Sequence, residues 1–237
     1  MAIDQKIRVI EFRNYLLQPG TFERFHDLFG REFVGPMAEL GGFTLGQYRI
    51  ENDAHRFVWI RGFENMDTRL RFLNDFYLES EVWNAYKNDA NSMIVNSDNV
   101  HLLRPLAEDV GLDADGFMTR TVLQKQKDVL VADFCVCNGR LPETIELFEQ
   151  RYLPFLNDHE VCDTSLWASE LSENKFQRHP AFQDKNLLVM MTAFPSKSEY
   201  ASRITAIDEP ETSLKHAMLE LITTKHRLVL FPAINTI

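Results

Sequence analysis

The sequence predicts an α+β protein built from two tandem units with the element order β-α-β-β-α-β. Each half of the 237-residue chain begins with a strand-like run, residues 8–15 and 130–137, that a short turn joins to a helix with an apolar stripe. Each half ends on an apolar run interrupted by proline, residues 100–105 and 227–232. Repetition over so long a distance indicates a duplicated domain, because solenoid repeats have periods of roughly 20–50 residues.

The first predicted strand, residues 7–16, has two faces of different character. Ile10 and Phe12 share one face, which is suited to packing against a helix. The other face carries a carboxylate, a guanidinium and a phenol in a row. These groups belong to Glu11, Arg13 and Tyr15. If the chain binds a ligand or catalyses a reaction, this polar face is a candidate for the site.

The remaining segments of the first half complete the unit. Phenylalanines at positions 22, 25, 29 and 33 form a stripe at helical spacing, which is typical of a helix that buries one face. The Val-Gly-Pro sequence at residues 34–36 is expected to bend or break this helix. Residues 44–50 and 56–63 are predicted to form an antiparallel hairpin, followed by a helix from about residue 66 and a strand at residues 99–104. This order is the ferredoxin-like arrangement.

The second half repeats these elements with different side chains. Its strands are expected at residues 129–137, 166–171, 186–194 and 227–231, and its helices near residues 141–155, 198–204 and 212–221. Its first strand has Asp133, Cys135 and Cys137 where the first half has its polar face. The first half is therefore the richer in groups suited to chemistry.

A linker is expected between the two units. Residues 106–121 contain four acidic residues and two glycines with little periodicity. We therefore expect one unit at residues 1–105 and the other at residues 122–237. Hydrophobic residues make up 45% of the chain, which is enough for sizeable cores.

Composition narrows the class of protein. A net charge of −10 argues against nucleic-acid binding and against attraction to anionic lipid. No apolar run approaches the roughly 20 residues of a membrane span, and the first residues lack a signal-peptide core. Three cysteines without framework spacing fit a reducing cytoplasm, and we expect structural cysteines rather than a metal site. The prediction is a cytoplasmic protein without a membrane span, a metal or a nucleic-acid partner.

Five segments carry a family resemblance: residues 11–15 and 17–20, the strand at 57–63, residues 102–105 and the helix at 147–154. In these segments the chain resembles the NIPSNAP family of the dimeric α+β barrel superfamily. The resemblance implies that the sheets of two ferredoxin-like units face each other and enclose an α+β barrel, which the two halves could form within one chain; closure between chains remains the alternative. The second half departs from the pattern, because it has neither an Arg nor a Tyr at the places that match Arg13 and Tyr15.

The polar face, together with the resemblance, gives a candidate ligand site inside the barrel, with two interpretations. The functional interpretation is a patch that binds an anionic or aromatic small molecule through an arginine fork. The alternative is an internal ion pair between Glu11 and either Arg13 or Arg61. His101, on the fourth strand, is a further candidate as a base or a haem ligand. The full set of candidate residues is Glu11, Arg13, Tyr15, Tyr48, Trp59, Arg61 and His101.

Two functions from different classes remain open at this point. The resemblance implies a NIPSNAP-like protein that binds a small ligand or a protein partner through its barrel, needs no cofactor and forms a homo-oligomer. The alternative is a cofactor-independent monooxygenase or isomerase-like enzyme that acts on a small acidic or aromatic substrate. In that case Arg13 and Arg61 bind the substrate, and Glu11 or His101 is the base. A haem enzyme is a third case, and no residue is assigned as catalytic.

Overall fold

The computed structural model describes residues 6–106, 112–113, 129–161 and 163–233. The strands in chain order are β1 (Lys6–Ile7), β2 (Val9–Leu17), β3 (Phe43–Ile50), β4 (Asp53–Phe63), β5 (Ile94–Asn96), β6 (Val100–Pro105), β7 (Leu112–Asp113), β8 (Val129–Cys137), β9 (Thr164–Ser169), β10 (Leu187–Phe194) and β11 (Ile222–Pro232). Eight of them form a closed antiparallel barrel in the order β4-β3-β11-β8-β10-β9-β6-β2, which a pairing of β2 with β4 completes.

The barrel closes within one chain. The first half contributes the strands β6-β2-β4-β3, and the second contributes β11-β8-β10-β9 in the same relative order. The halves join where β3 pairs with β11 and where β6 pairs with β9. Of the expected linker, only residues 106, 112 and 113 belong to the part of the chain that the structure describes, and the rest of residues 106–121 lies outside it.

Helices cover the outer face of each half. They are α1 (Phe22–Leu28), α2 (Val34–Glu39), α3 (Met66–Asn74), α4 (Glu81–Ser92), α5 (Leu141–Leu147), α6 (Leu153–Asp158), α7 (Lys197–Asp208) and α8 (Thr212–Leu221). Within the described ranges, no helix has both the length and the apolar character that a membrane crossing requires.

The helix was expected to bend or break at residues 34–36, and it does not break there. A π-helical turn, Phe29–Phe33, joins α1 to α2, and the Val34 N–H donates to the Phe29 carbonyl five residues earlier. A π turn widens the helix, so the proline that follows avoids a clash with the preceding turn. The second half uses the same device, with a π turn at Phe148–Tyr152.

The side chains form one core inside the barrel and one under the helices of each half. The phenylalanine stripe of the first helix is buried against the outer face of the sheet, as predicted. Ile10 and Phe12 were expected to pack against that helix, and this prediction is wrong. They point into the barrel, where the rings of Phe12 and Phe134 meet edge to face at 5.1 Å. The interior is therefore lined mostly by apolar side chains, and both halves contribute them.

The barrel interior around Gly62 leaves no room for a side chain. A Cβ there would lie 2.7 Å from Ile7 Cγ2 and 2.8 Å from Leu45 Cδ1. We expect Gly62→Ala to lower the free energy of unfolding by about 1–3 kcal/mol in urea denaturation, because overpacking forces neighbouring side chains to shift. Gly30→Ala is the control, since at that helical position no described atom outside the adjoining residues and the helix's own backbone lies within 4 Å of an added Cβ. Equal stabilities of the two variants would contradict the packing of this face.

The cysteines of β8 are structural, as far as the structure describes them. Cys135 and Cys137 are buried, free thiols under the helices of the second half. Burial, with help from the charge of Asp133, raises the pKa of Cys135 to about 12, which leaves the thiol protonated and unreactive at neutral pH. Cys162 lies outside the described residues.

Candidate functional site

Five of the seven candidate residues converge, but on the opposite side of the sheet from the one expected. Glu11, Arg13 and Tyr15 on β2 and Trp59 and Arg61 on β4 lie under the helices of the first half. The prediction that they point into the barrel is wrong. The reason is that the facing strand β8 offers only apolar side chains to the interior, whereas the helices supply polar partners.

Tyr48 and His101 do point into the barrel. Tyr48 belongs to the interior core, and burial raises the pKa of its phenol. His101 lies opposite Phe12 in the β2–β6 register, and its ring centre lies 4.8 Å from that of Phe134, with the two rings tilted by 47°. The candidate set therefore divides into a helix-side group of five and an interior group of two.

A single carboxylate holds the helix-side group together. Glu11 is fully buried, and its Oε2 accepts hydrogen bonds from Arg13 Nη1 at 2.9 Å and from Arg61 Nη2 at 2.6 Å. Its Oε1 accepts from Nε of Arg69, on α3, at 2.7 Å. Burial would raise the pKa of Glu11, but the charges of Arg61, Arg69 and Arg13 hold that pKa well below its ordinary value.

The charges in this cluster do not balance. One carboxylate faces three guanidinium groups, so Glu11, Arg13, Arg61 and Arg69 together carry a formal charge of +2. The arginines' other partners are neutral: Arg13 Nε donates to the Tyr15 hydroxyl at 2.9 Å, and Arg61 Nη1 donates to the Tyr77 hydroxyl at 3.1 Å. All three arginines are nearly inaccessible to water. Excess positive charge in a buried site is unfavourable unless an anion neutralises it.

A cavity of about 230 Å³ lies beside this cluster, between the sheet and the helices. We call it the first-half cavity. The guanidinium carbons of Arg13 and Arg61 lie 5.4 Å and 5.0 Å from the ring of Trp59, which forms part of its wall. The lining residues are Tyr15, Phe25, Phe29, Phe33, Met37, Trp59, Phe76, Tyr77, Trp83, Ala90, Asn91, Ile94, Ser97 and His179.

Three side chains that line this cavity have a hydrogen-bond donor without an acceptor among the described residues. The Trp59 Nε1–H is buried and has no partner among the described residues. The hydroxyls of Tyr15 and Tyr77 accept from arginines, and no described residue accepts a hydrogen bond from either of them. A buried donor without a partner is energetically costly. The cavity therefore suits a ligand with a flat apolar body and an acceptor group at one end.

The connection between β9 and β10 reaches across from the second half and closes one side of the cavity. Asn174 Oδ1 accepts from Arg69 Nη1 at 2.9 Å, and the ring of His179 lies 4.2 Å from that of Tyr77. Burial, followed by the positive charges of Arg13 and Arg61, lowers the pKa of His179 to about 3. The imidazole is therefore neutral at physiological pH.

We expect the pKa of His179 to rise when an anion occupies the cavity, because the anion offsets the arginine charge that now lowers it. An NMR titration of the imidazole signals, with and without bound anion, measures this shift. The exposed His55 is the control, and its signals should not respond to the anion. An unchanged His179 titration in the presence of a bound anion would place that anion away from the arginines.

Sequence reasoning missed three parts of this site. Arg69 lies on the same face of α3 as Phe72, Leu73 and Phe76, so an arginine within an apolar stripe was the available signal. Tyr77 follows Leu73 at helical spacing, which predicts packing and gives no sign that its hydroxyl meets Arg61. His179 lies in the long connection after β9, and no local pattern indicates where such a segment packs. Only the tertiary structure places it beside the cavity.

Two π-helical turns border the first-half cavity. Phe29 and Phe33 come from the first and Phe76 and Tyr77 from the second, which spans Asp75–Glu79. Such turns are frequent at functional sites. The second half has a π turn too, so the feature supports the assignment without deciding it.

The corresponding position of the second half is electrostatically satisfied. Asp133 is buried, and Arg227 donates to its two oxygens at 2.7 Å and 2.9 Å. Arg227 also pairs with Asp208, and Lys225 lies 3.2 Å from Asp133. Two acids thus face two bases, and no excess charge is left for a ligand.

A larger groove of about 760 Å³ lies near the start of α3, and Arg69 forms part of its lining. Its wall contains four basic and four acidic side chains, so the charges of the lining cancel. It therefore lacks the one-sided positive charge of the first-half cavity.

No protein-family model and no curated relative matches the sequence. Among solved structures, a "putative monooxygenase" from Fusobacterium nucleatum is 10% identical, with a TM-score of 0.60 over 96% of this chain and 93% of its own. Another "putative monooxygenase", from Lactobacillus acidophilus, is 8% identical, with a TM-score of 0.59 over 95% of this chain and 93% of its own. A NIPSNAP family protein from Agrobacterium tumefaciens is 18% identical over 46% of this chain and 94% of its own, with a TM-score of 0.39. The full-length matches show a shared α+β barrel fold.

Proposed function

We propose that the first-half cavity binds a small aromatic molecule with an acidic group, as a carboxylate, phenolate or enolate. The observation that carries this proposal is the formal charge of +2 on four buried side chains. An anion in the cavity would neutralise part of that charge in a site of low dielectric, where charge interactions are strong. The aromatic walls suit a planar ring, and the Trp59 indole N–H supplies a donor for the acidic group.

The geometry has features of both interpretations of the polar face, the ligand site and the internal ion pair. Glu11 forms the expected ion pairs with Arg13 and Arg61, so the cluster is structural in part. The cluster has two more positive charges than are needed to pair with Glu11. The excess charge is what favours a ligand.

The experiment compares two ligands that differ in charge at one polar group. Benzoate and benzamide have similar size and shape, and their binding is followed by the fluorescence of the tryptophans that line the cavity. We expect benzoate to bind at least about tenfold more tightly, because charge-assisted hydrogen bonds are worth roughly 1.5–3 kcal/mol. Equal affinities for the two ligands would rule out an anion site.

A second candidate function is a cofactor-independent monooxygenase that acts on the bound anion. The observation in its favour is again the positive charge beside the cavity, which stabilises a phenolate or enolate. These electron-rich forms are the ones that react with dioxygen. The test is oxygen uptake in the presence of a phenolic ligand that the protein binds. Tight binding without oxygen uptake would leave the protein as a binding module.

We further propose that the chain arose by duplication of one ferredoxin-like unit, at residues 1–105 and 122–237, and is related to the NIPSNAP family. The identical relative order of strands in the two halves supports this. In an experimental structure, residues 9–105 should superpose on residues 129–232. Strand positions that differ by several ångström along most of their length would contradict the duplication.

The homo-oligomer expected from the family resemblance stays a prediction. Because the barrel closes within one chain, a second chain is not needed to complete it. Light scattering on the purified protein measures the mass directly. A monomer at all concentrations would contradict the expectation without affecting the ligand proposal.

A further inference from the structure

We propose a second ligand site at one mouth of the barrel, for a small uncharged aromatic molecule that can donate a hydrogen bond. The site is a cavity of about 220 Å³ between the two sheets, which we call the mouth cavity. It lies on the opposite face of β2 from the first-half cavity, because Phe12 and Asn14 alternate with Arg13 and Tyr15 along the strand.

The walls of the mouth cavity fit an aromatic ring. Both halves contribute apolar side chains, namely Phe12 from β2, Phe134 and Val136 from β8, Leu187 from β10 and Leu228 from β11. A dry apolar cavity of about 150 Å³ is large enough to bind benzene, so this volume accommodates one substituted ring. Among the described residues, no Asp, Glu, Lys or Arg lines the cavity, and this favours an uncharged ligand.

Two buried polar atoms in this cavity have no partner among the described residues. Asn14 is 93% buried, and its Oδ1 accepts no hydrogen bond. His101 Nδ1 is also without a partner. An amide oxygen accepts only, so it requires a donor. A hydroxyl group on a bound ring would satisfy Asn14, and the same hydroxyl oxygen or a second group would meet His101.

The imidazole on the cavity wall is uncharged at neutral pH. Burial, with a smaller effect of the neighbouring His226, lowers the pKa of His101 to about 4. The exposed ring of Phe182 lies 5.2 Å from the His101 ring and covers it from the outside. These features agree with a neutral ligand and disfavour an anion, in contrast to the first-half cavity.

The test uses phenol and toluene, which are similar in size and differ in the donor. Methyl NMR signals of Val136 and Leu228 report on the mouth cavity, and the Met37 methyl signal reports on the first-half cavity. We expect phenol to shift the Val136 and Leu228 signals saturably and to bind there about tenfold more tightly than toluene. Shifts confined to Met37, or none at all, would mean that the mouth cavity holds water only and would overturn the proposal.

Two substitutions distinguish the contribution of the hydrogen bond to Asn14 from that of the cavity volume. Asn14→Ala should remove the preference for phenol over toluene while both still bind, and Val136→Phe should abolish binding of both by filling the rim. Arg13→Met should leave phenol binding at the mouth unchanged, so failure of the anion site and failure of this site are distinguishable. A preference for phenol that survives Asn14→Ala would contradict the role of Asn14.

Discussion

Glu11→Gln is expected to destabilise the protein by roughly 3–5 kcal/mol or more, because it leaves three buried arginines without their counter-charge. The carboxylate accepts hydrogen bonds from Arg13, Arg61 and Arg69. A glutamine retains one acceptor oxygen but presents an NH₂ group to the remaining donors. Chemical denaturation of the variant beside the wild type measures the difference.

The control for this substitution is Glu23→Gln. Glu23 also pairs with an arginine, Arg49 at 2.6 Å, but its side chain is 67% exposed, and such pairs contribute roughly 0–1 kcal/mol. Arg69→Met introduced together with Glu11→Gln should restore part of the lost stability, since it removes one of the unpaired charges. A loss for Glu11→Gln no larger than that of the control would mean that the cluster is hydrated.

The contribution of Glu11 to the stability of the fold is expected to depend on pH. Because the folded pKa of Glu11 is depressed, its contribution is fully present above the unfolded value of about 4.5 and is lost as the pH falls toward the lower folded value. The stability difference between wild type and Glu11→Gln should therefore shrink below about pH 4.5. A difference that stayed constant into this acidic range would argue against ionised Glu11 as its source.

Arg13→Met is expected to reduce the affinity for an aromatic anion by about 10–100-fold and to leave the fold intact. The loss follows from removing a buried positive charge and its donors, worth roughly 1.5–3 kcal/mol. Stability should change by less than about 1.5 kcal/mol, because methionine has a similar volume and Glu11 keeps two arginine partners. Benzoate titration and denaturation of the same preparation measure both quantities.

Arg49→Met is the matched control for this variant. Arg49 also pairs with a glutamate and lies over an aromatic ring, 3.8 Å from the centre of Phe22, but on the surface. It should leave benzoate affinity unchanged. If Arg13→Met instead lost several kcal/mol of stability without any change in affinity, the arginine would be purely structural and the anion site would be refuted.

Alternation and turn chemistry are local, and they predicted several of the main strands and helices of this fold. The bounds of the first strand of the second half, the hairpin of the first half and the apolar helix stripes all follow from spacing in the sequence. The continuity of the helix at Pro36 does not follow from spacing, because a π turn depends on how the helix packs. The convergence of Glu11, Arg13 and Arg61 was predictable, since strand pairing places Glu11 opposite Arg61.

The sequence by itself determined that β2 has one apolar and one polar face, because that follows from a period of two along a strand. Only the tertiary structure decided which face the helices cover. Both faces are buried, so the choice depends on the partners that arrive from elsewhere: Phe134 from the second half meets Phe12, and Arg69 and Tyr77 from the helical segment after β4 meet the polar face. His179 joins them from more than a hundred residues away. Contacts of such sequence separation leave no local pattern, and they place the charged cluster under the helices rather than inside the barrel.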